Sequence, residues 1–154
     1  MILQIERMGF LMLKGISPII SPDLLKILME MGHGDELVIG DGNFPGASLA
    51  RNLIRLDGHT VPEVLEAILR LYPLDPYVKA PVALMEVVPG DTVETPIWDV
   101  YQALCDKSEG KKVEIEHVER FAFYERAKKA YCVIMTGETA LYANIVLKKG
   151  VVTE

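Results

Sequence analysis

This chain predicts a single α/β domain, with helices layered around a mixed β-sheet. Three observations carry that expectation. Several segments repeat apolar residues at helical spacing, short apolar runs of strand length lie between them, and the two kinds alternate along the chain. At 154 residues there is enough chain for one sizeable core, and no internal repeat or long linker divides it. We read residues 13–154 as the domain and 1–12 as an N-terminal extension. The extension is apolar but has neither a basic leading region nor a small-residue cleavage site, so it makes a poor signal peptide. Translation starting at Met12 instead of Met1 is an open alternative.

The elements follow in order. Ser21-Pro22-Asp23 opens a helix, because serine caps, proline fits the first turn and the acid suits the helix dipole. Leu24, Leu25, Ile27, Leu28 and Met31 form its apolar stripe, and Gly32 follows its end. Glu36 to Ile39 reads as a short buried strand, and Gly42-Asn43-Phe44-Pro45-Gly46 as the most irregular loop. Thr60-Val61-Pro62-Glu63 has the capping-box pattern before the stripe Val64, Leu65, Ala67, Ile68 and Leu71, and Pro73 stops that helix. Val82 to Val88 predicts a strand. Thr95-Pro96 starts a helix running to about Cys105. A strand over Val113 to Val118 and a helix over Arg120 to Ala130 follow, the helix carrying Phe121 and Tyr124 on one side. Tyr131 to Met135 and Leu141 to Leu147 predict two last strands, near enough in sequence to be hairpin neighbours.

Composition narrows the function classes. Half the residues are hydrophobic, and the mean hydropathy of +0.22 is high for a small water-borne domain. A large oligomer interface would absorb the surplus. No apolar run approaches the ~18 residues of a spanning helix, so a membrane partner is not expected. The formal net charge is −6, and Lys111-Lys112 and Lys148-Lys149 are isolated pairs. Nucleic-acid binding, which needs a basic face, is therefore not expected either. Cys105 and Cys132 lie far apart without a C-x-x-C pattern and read as reduced packing residues of a cytoplasmic protein, a disulfide being the minor alternative.

The segment Gly32-His33-Gly34 stands where a helix pattern meets a strand pattern. Histidine titrates nearest neutrality, and flanking glycines permit unusual backbone angles and close approach of a ligand. His33 is thus the leading candidate for proton transfer, against the plainer reading of a solvated loop side chain. His59 and His117 lack such settings and read as structural or surface residues. Asp41 follows the strand, where ligand-binding groups collect in α/β proteins, although Asp-Gly is also an ordinary turn pair. The spacing Gly40-x-Gly42-x-x-x-Gly46 is not a dinucleotide fingerprint. Strand alternation would put Tyr142 and Asn144 on one face and Leu141, Ala143, Ile145 and Leu147 on the other. That polar pair fits simple exposure and a carbohydrate grip equally well. Arg120 opens a helix, against the dipole, so pairing with Glu116 or Glu119 is expected, or a role for its planar fork in binding hydroxyls. Glu125, Arg126, Lys128 and Lys129 read as a solvated face.

These residues converge on a known pattern. The matching stretches include Ile16-Ser17-Pro18-Ile19-Ile20-Ser21-Pro22, Met31-Gly32-His33-Gly34-Asp35-Glu36, Asn43-Phe44-Pro45 and Ile54-Arg55-Leu56-Asp57-Gly58. Arg120-Phe121-Ala122-Phe123-Tyr124-Glu125-Arg126-Ala127, Thr136-Gly137-Glu138, Tyr142-Ala143-Asn144 and Lys148-Lys149-Gly150-Val151 continue the match. From about Lys14 to Gly150 the chain resembles the ribose pyranase/fucose mutarotase family. The resemblance implies that family's ring-forming fold and a cofactor-free, metal-free isomerase that interconverts the anomers of a monosaccharide. It implies His33 as proton donor, and sugar contacts from Asp41, Arg120, Tyr142, Ala143 and Asn144, with Tyr124 as a further contact or the base. The arginine at 120 favours the fucose branch and L-fucose as substrate, since the pyranase branch has histidine there. The resemblance also implies a closed homo-oligomer, a pentamer or decamer, with sites at subunit boundaries. A ribose pyranase and a non-catalytic sugar-binding regulatory ring are the alternatives.

One tension is visible at this level. His33 and Asp41 bracket a strand, and eight extended residues span at most about 26–29 Å. Either the loops fold back, or different subunits supply the two residues to each site.

Overall fold

The structure is a computed structural model, and it describes residues 11–153. The N-terminal extension proposed above therefore lies almost wholly outside the described residues. Serine, proline and aspartate open the first helix as expected: the Ser21 hydroxyl accepts from the Leu24 amide (3.2 Å) and caps α1 (Pro22–Glu30). The chain then runs through β1 (Glu36–Gly40), α2 (Gly46–Leu49), β2 (Leu53–Leu56), α3 (Val61–Leu69) and β3 (Val82–Met85). It continues through α4 (Ile97–Glu109), β4 (Ile115–Val118), α5 (Arg120–Lys129), β5 (Cys132–Thr136) and β6 (Ile145–Lys148). Gly110, at φ +70°, ends α4 in the left-handed conformation that glycine adopts at little cost.

The strands form one sheet of order β2-β5-β1-β6-β3-β4. All are mutually parallel except β6, which runs antiparallel between β1 and β3. Alternation along the strands sorts the core into two layers. Leu37, Ile39, Cys132, Ile134, Ile145 and Leu147 face α1, α3 and α4. Val38, Val133, Met135 and Val146 face Phe44 and the Phe123 and Ala127 side of α5. Both faces of the central strands are covered, so β1 and β5 read as continuous apolar runs. The two cysteines are buried and unpaired, as the packing reading expects. Among the described residues no helix is long and apolar enough to cross a membrane.

Four expectations need correction. β5 and β6 are not hairpin neighbours: β1 lies between them, parallel to one and antiparallel to the other. The strand expected over Leu141 to Leu147 begins only at Ile145, so Tyr142 and Asn144 lie in the loop before it and share no strand face. β2 and α2 were not anticipated. β2 is short, half-exposed and broken by Arg55, as suits a sheet edge, and α2 is a single turn. Finally, β3 stops at Met85 and β4 starts at Ile115, each shorter than its apolar run.

The capping box of α3 is also used differently. Thr60 donates to Glu63 Oε1 (3.0 Å) but does not cap the helix, whose Val61 amide is met by the remote Glu138 carboxylate (3.2 Å).

Candidate functional site

The candidate residues separate to opposite ends of β1. At its carboxyl end sits Asp41, 5% exposed. Its amide donates to Asn144 Oδ1 (2.8 Å), and its carboxylate accepts from the Asn43 amide (3.0 Å) and, more loosely, the Ala143 amide (3.4 Å). Because β6 is antiparallel, the residues that precede it reach the same edge of the sheet as the residue that follows β1. Burial pushes the Asp41 carboxyl above the usual carboxylate range, against the pull of those amides, and the nearby Glu138 charge adds to the rise.

The loop carrying Tyr142, Ala143 and Asn144 is held rigidly. Trp98 Nε1 donates to the Tyr142 carbonyl and the Tyr101 hydroxyl to the Ala143 carbonyl, each at 2.8 Å. Tyr142 itself sits at φ +54°, a conformation costly for a side chain of this size and held by those bonds. The neighbouring turn is tied down as well. The Gly42 amide donates to the Glu138 carbonyl (2.9 Å), and Gly137 approaches the Asp57 carbonyl too closely for any side chain to fit.

Arg120 and Tyr124 stand on the first turns of α5, just beyond β4. Neither expected partner takes Arg120. Glu116 pairs with Arg126, and Glu119 instead caps α5, accepting from the Phe121 and Ala122 amides (3.0 Å each). Arg120 Nε donates to the Tyr124 hydroxyl (3.1 Å), and the guanidinium lies over the Phe121 and Tyr124 rings. The Tyr124 ring meets Phe44, from the loop after Asp41, edge to face at 5.8 Å. Arg126 is a second correction: it is half-buried and grips Glu36 with two nitrogens instead of facing solvent.

His33 occupies the other end. Gly34, at φ +87°, turns the chain there, and its amide donates to the Lys149 carbonyl (2.8 Å). His33 Nε2 lies 3.0 Å from Asp75 Oδ1. Asp75 is 4% exposed, and its Oδ1 also accepts from the Tyr77 amide (3.0 Å). Burial alone would raise the Asp75 carboxyl, but the Tyr77 amide, the His33 ring and the Lys148 charge together hold it below its ordinary value. Sequence reasoning missed Asp75. It sits in a Leu-Asp-Pro turn, 42 residues from its partner, with no periodicity to mark it. His59 and His117 behave as expected, one bonded to Glu63 and the other against the Trp98 ring.

The structure therefore brings together Asp41, Ala143, Asn144, Tyr142, Arg120 and Tyr124, and leaves His33 apart. The five residues of β1 alone separate the two ends by about 16 Å. Within one copy of the chain the loops do not fold back to join them.

The raised Asp41 carboxyl has a measurable consequence. A group that holds its proton more tightly folded than unfolded contributes most stability at low pH. That contribution falls as pH rises from the unfolded value near ~3.9 through the folded value, and stays lowest above it. Asp41→Asn should therefore raise the melting temperature at pH 7, with the gap over the parent closing as the pH is lowered. Thermal melts across that range check it. A variant less stable than the parent at neutral pH would show that the amide contacts outweigh the buried charge.

A family model described as the RbsD / FucU transport protein family matches residues 14–152. The chain belongs to this family. An L-fucose mutarotase of Actinobacillus pleuropneumoniae is 54% identical over 140 residues, 91% of this chain and 97% of that protein. Among solved structures, FucU from Bifidobacterium longum superposes with a TM-score of 0.88 at 58% identity, covering 91% of this chain and all of the other. The fucose mutarotase of Streptococcus pneumoniae, solved in complex with L-fucose, has a TM-score of 0.85 at 52% identity and covers 92% of this chain and all of its own. The family match thus agrees with the resemblance carried by the His33, Arg120 and Tyr142-Ala143-Asn144 stretches.

Proposed function

We propose that this chain is an L-fucose mutarotase, interconverting the α and β anomers by opening and reclosing the sugar ring. The observation that carries the reading is the bond between His33 and the buried Asp75 (3.0 Å). It supplies a proton-transfer group with a fixed orientation in a chain otherwise 52% identical to a fucose mutarotase that binds L-fucose.

Ring opening needs a proton delivered to the ring oxygen and another removed from the anomeric hydroxyl, and closure reverses both. Asp75 is held in its ionised form, so it accepts a hydrogen bond from Nε2 of His33. That leaves Nδ1 to exchange the proton with the sugar, while the carboxylate steadies the imidazolium. Tyr124 is the candidate for the opposite transfer. Its oxygen accepts from Arg120, which leaves the hydroxyl proton free to pass to another acceptor as the proton of the anomeric hydroxyl arrives. Asp41, Arg120 and Asn144 would fix the sugar hydroxyls, and Tyr142 with Ala143 would shape one wall. The chemistry needs no cofactor.

Because His33 and this group lie at opposite ends of β1, a complete site takes them from two copies of the chain. We read the protein as a closed homo-oligomer, a pentamer or decamer, consistent with its apolar surplus and with exposed Tyr77 and Phe121 beside the two half-sites. Its two buried thiols suit the cytoplasm.

Magnetisation-exchange NMR between L-fucose anomers tests the activity directly. Exchange well above buffer background, with no added metal or nucleotide, is the expected result. Folded protein that leaves the rate at background would reject the enzyme reading. Arg120→His should lower the ratio of fucose to ribose exchange by about tenfold, since a charged forked donor is lost. An unchanged ratio would remove Arg120 as the selecting residue.

A further inference from the structure

The Tyr142 side chain is held by Asp91, in the loop that follows β3. Its hydroxyl donates to Asp91 Oδ2 (2.8 Å) and lies 3.4 Å from the Val88 amide, which points to it as an acceptor. Asp91 is itself set by its turn: its amide donates to the Val88 carbonyl (3.1 Å), and its Oδ1 accepts from the Val93 amide (3.1 Å). The backbone of Tyr142 is anchored independently, through Trp98. On Tyr142, Asp91 therefore acts through the side chain and not the backbone, while its other carboxylate oxygen holds its own turn.

We propose that Asp91 is a positioning residue for sugar binding: it takes the Tyr142 phenolic proton, so that Tyr142 offers the sugar a fixed ring and an oxygen that only accepts. The proposal rests on the reading that Tyr142 touches the sugar. It also separates the two tyrosines of the site by chemistry. The Tyr142 proton is committed to a carboxylate, whereas the Tyr124 oxygen is already an acceptor for Arg120 and its proton remains free. One phenol is fixed as a wall and the other is available for proton transfer. The bond to Asp91 also raises the Tyr142 phenol above the ordinary tyrosine range, against the opposing Arg120 charge.

Asp91 lies in an exposed turn, so its replacement leaves the core intact. Asp91→Ala should raise KM for L-fucose about five- to tenfold with kcat nearly unchanged, because a positioning contact is lost and no proton-transfer group is removed. Asp91→Asn, which keeps an acceptor oxygen, should recover most of that loss. In a Tyr142→Phe background, Asp91→Ala should have almost no further effect, as expected for two residues acting through one bond. Titration of ring-labelled tyrosine, assigned with Tyr142→Phe, should show the Tyr142 phenol falling towards its ordinary value in Asp91→Ala. If Tyr142→Phe and Tyr142→Ala both bind fucose like the parent, Tyr142 does not contact the sugar, and the proposal goes with that reading. If they bind poorly but Asp91→Ala is neutral, or equally harmful in both backgrounds, the contact stands and the role of Asp91 is overturned.

Discussion

His33→Asn is expected to reduce anomer exchange by about 10²–10⁴-fold, the range that general acid–base catalysis supplies. The fold should survive. The His33 side chain is 43% exposed, and Asp75 keeps its bond from the Tyr77 amide when the ring is removed. The loss of one part-exposed hydrogen bond costs about 1 kcal/mol, which circular dichroism and thermal melting would register as a small shift. His33→Ala should behave alike. Exchange at the parental rate in either folded variant would remove His33 from the proton path and would leave the Asp75 pair as a purely structural feature.

Mixed assemblies should regain activity that neither parent variant has. If each site takes His33 from one subunit and Asn144 from its neighbour, inactive His33→Ala and Asn144→Ala chains co-refolded in equal amounts will form about one quarter of their sites without either substitution. Tyr124→Phe, which removes a single hydroxyl, can replace Asn144→Ala where the buried amide is needed for folding. The recovery should scale with mixing and vanish when the variants are assembled separately. A solution mass of 17.1 kDa, that of one chain, would reject the assembly itself. Confirmed mixed rings without recovered exchange would reject this division of His33 and Asn144 between chains.

Much of this arrangement was legible before any coordinates. The apolar stripes of α1 and α3 and the run through β1 mark themselves, because a helix or strand that buries one face must repeat apolar residues with its own period. His33, Asp41, Arg120 and the Tyr142-Ala143-Asn144 stretch could be named from residue type, setting and resemblance. Asp75 and Asp91 could not. Each acts through a single bond to a partner 42 or 51 residues away, and neither lies in a periodic segment. The expected hairpin failed for a related reason. Nearness in sequence favours β5 pairing with β6, yet β1 satisfies the backbone groups of both, and only the assembled sheet reveals that choice.

By itself, then, the sequence determined the class of fold, the chemistry of the residues and the family to which they belong, because those follow from local periodicity, side-chain type and local motifs. The tertiary structure decided where that chemistry sits. By inserting β6 antiparallel beside β1, it joins Asp41 to Asn144 across 103 residues and sends His33 to the opposite edge beside Asp75. Pairing between distant strands is a contest among many backbone hydrogen-bonding partners of nearly equal worth. Its outcome rests on the packing of the whole core, and no local segment records it.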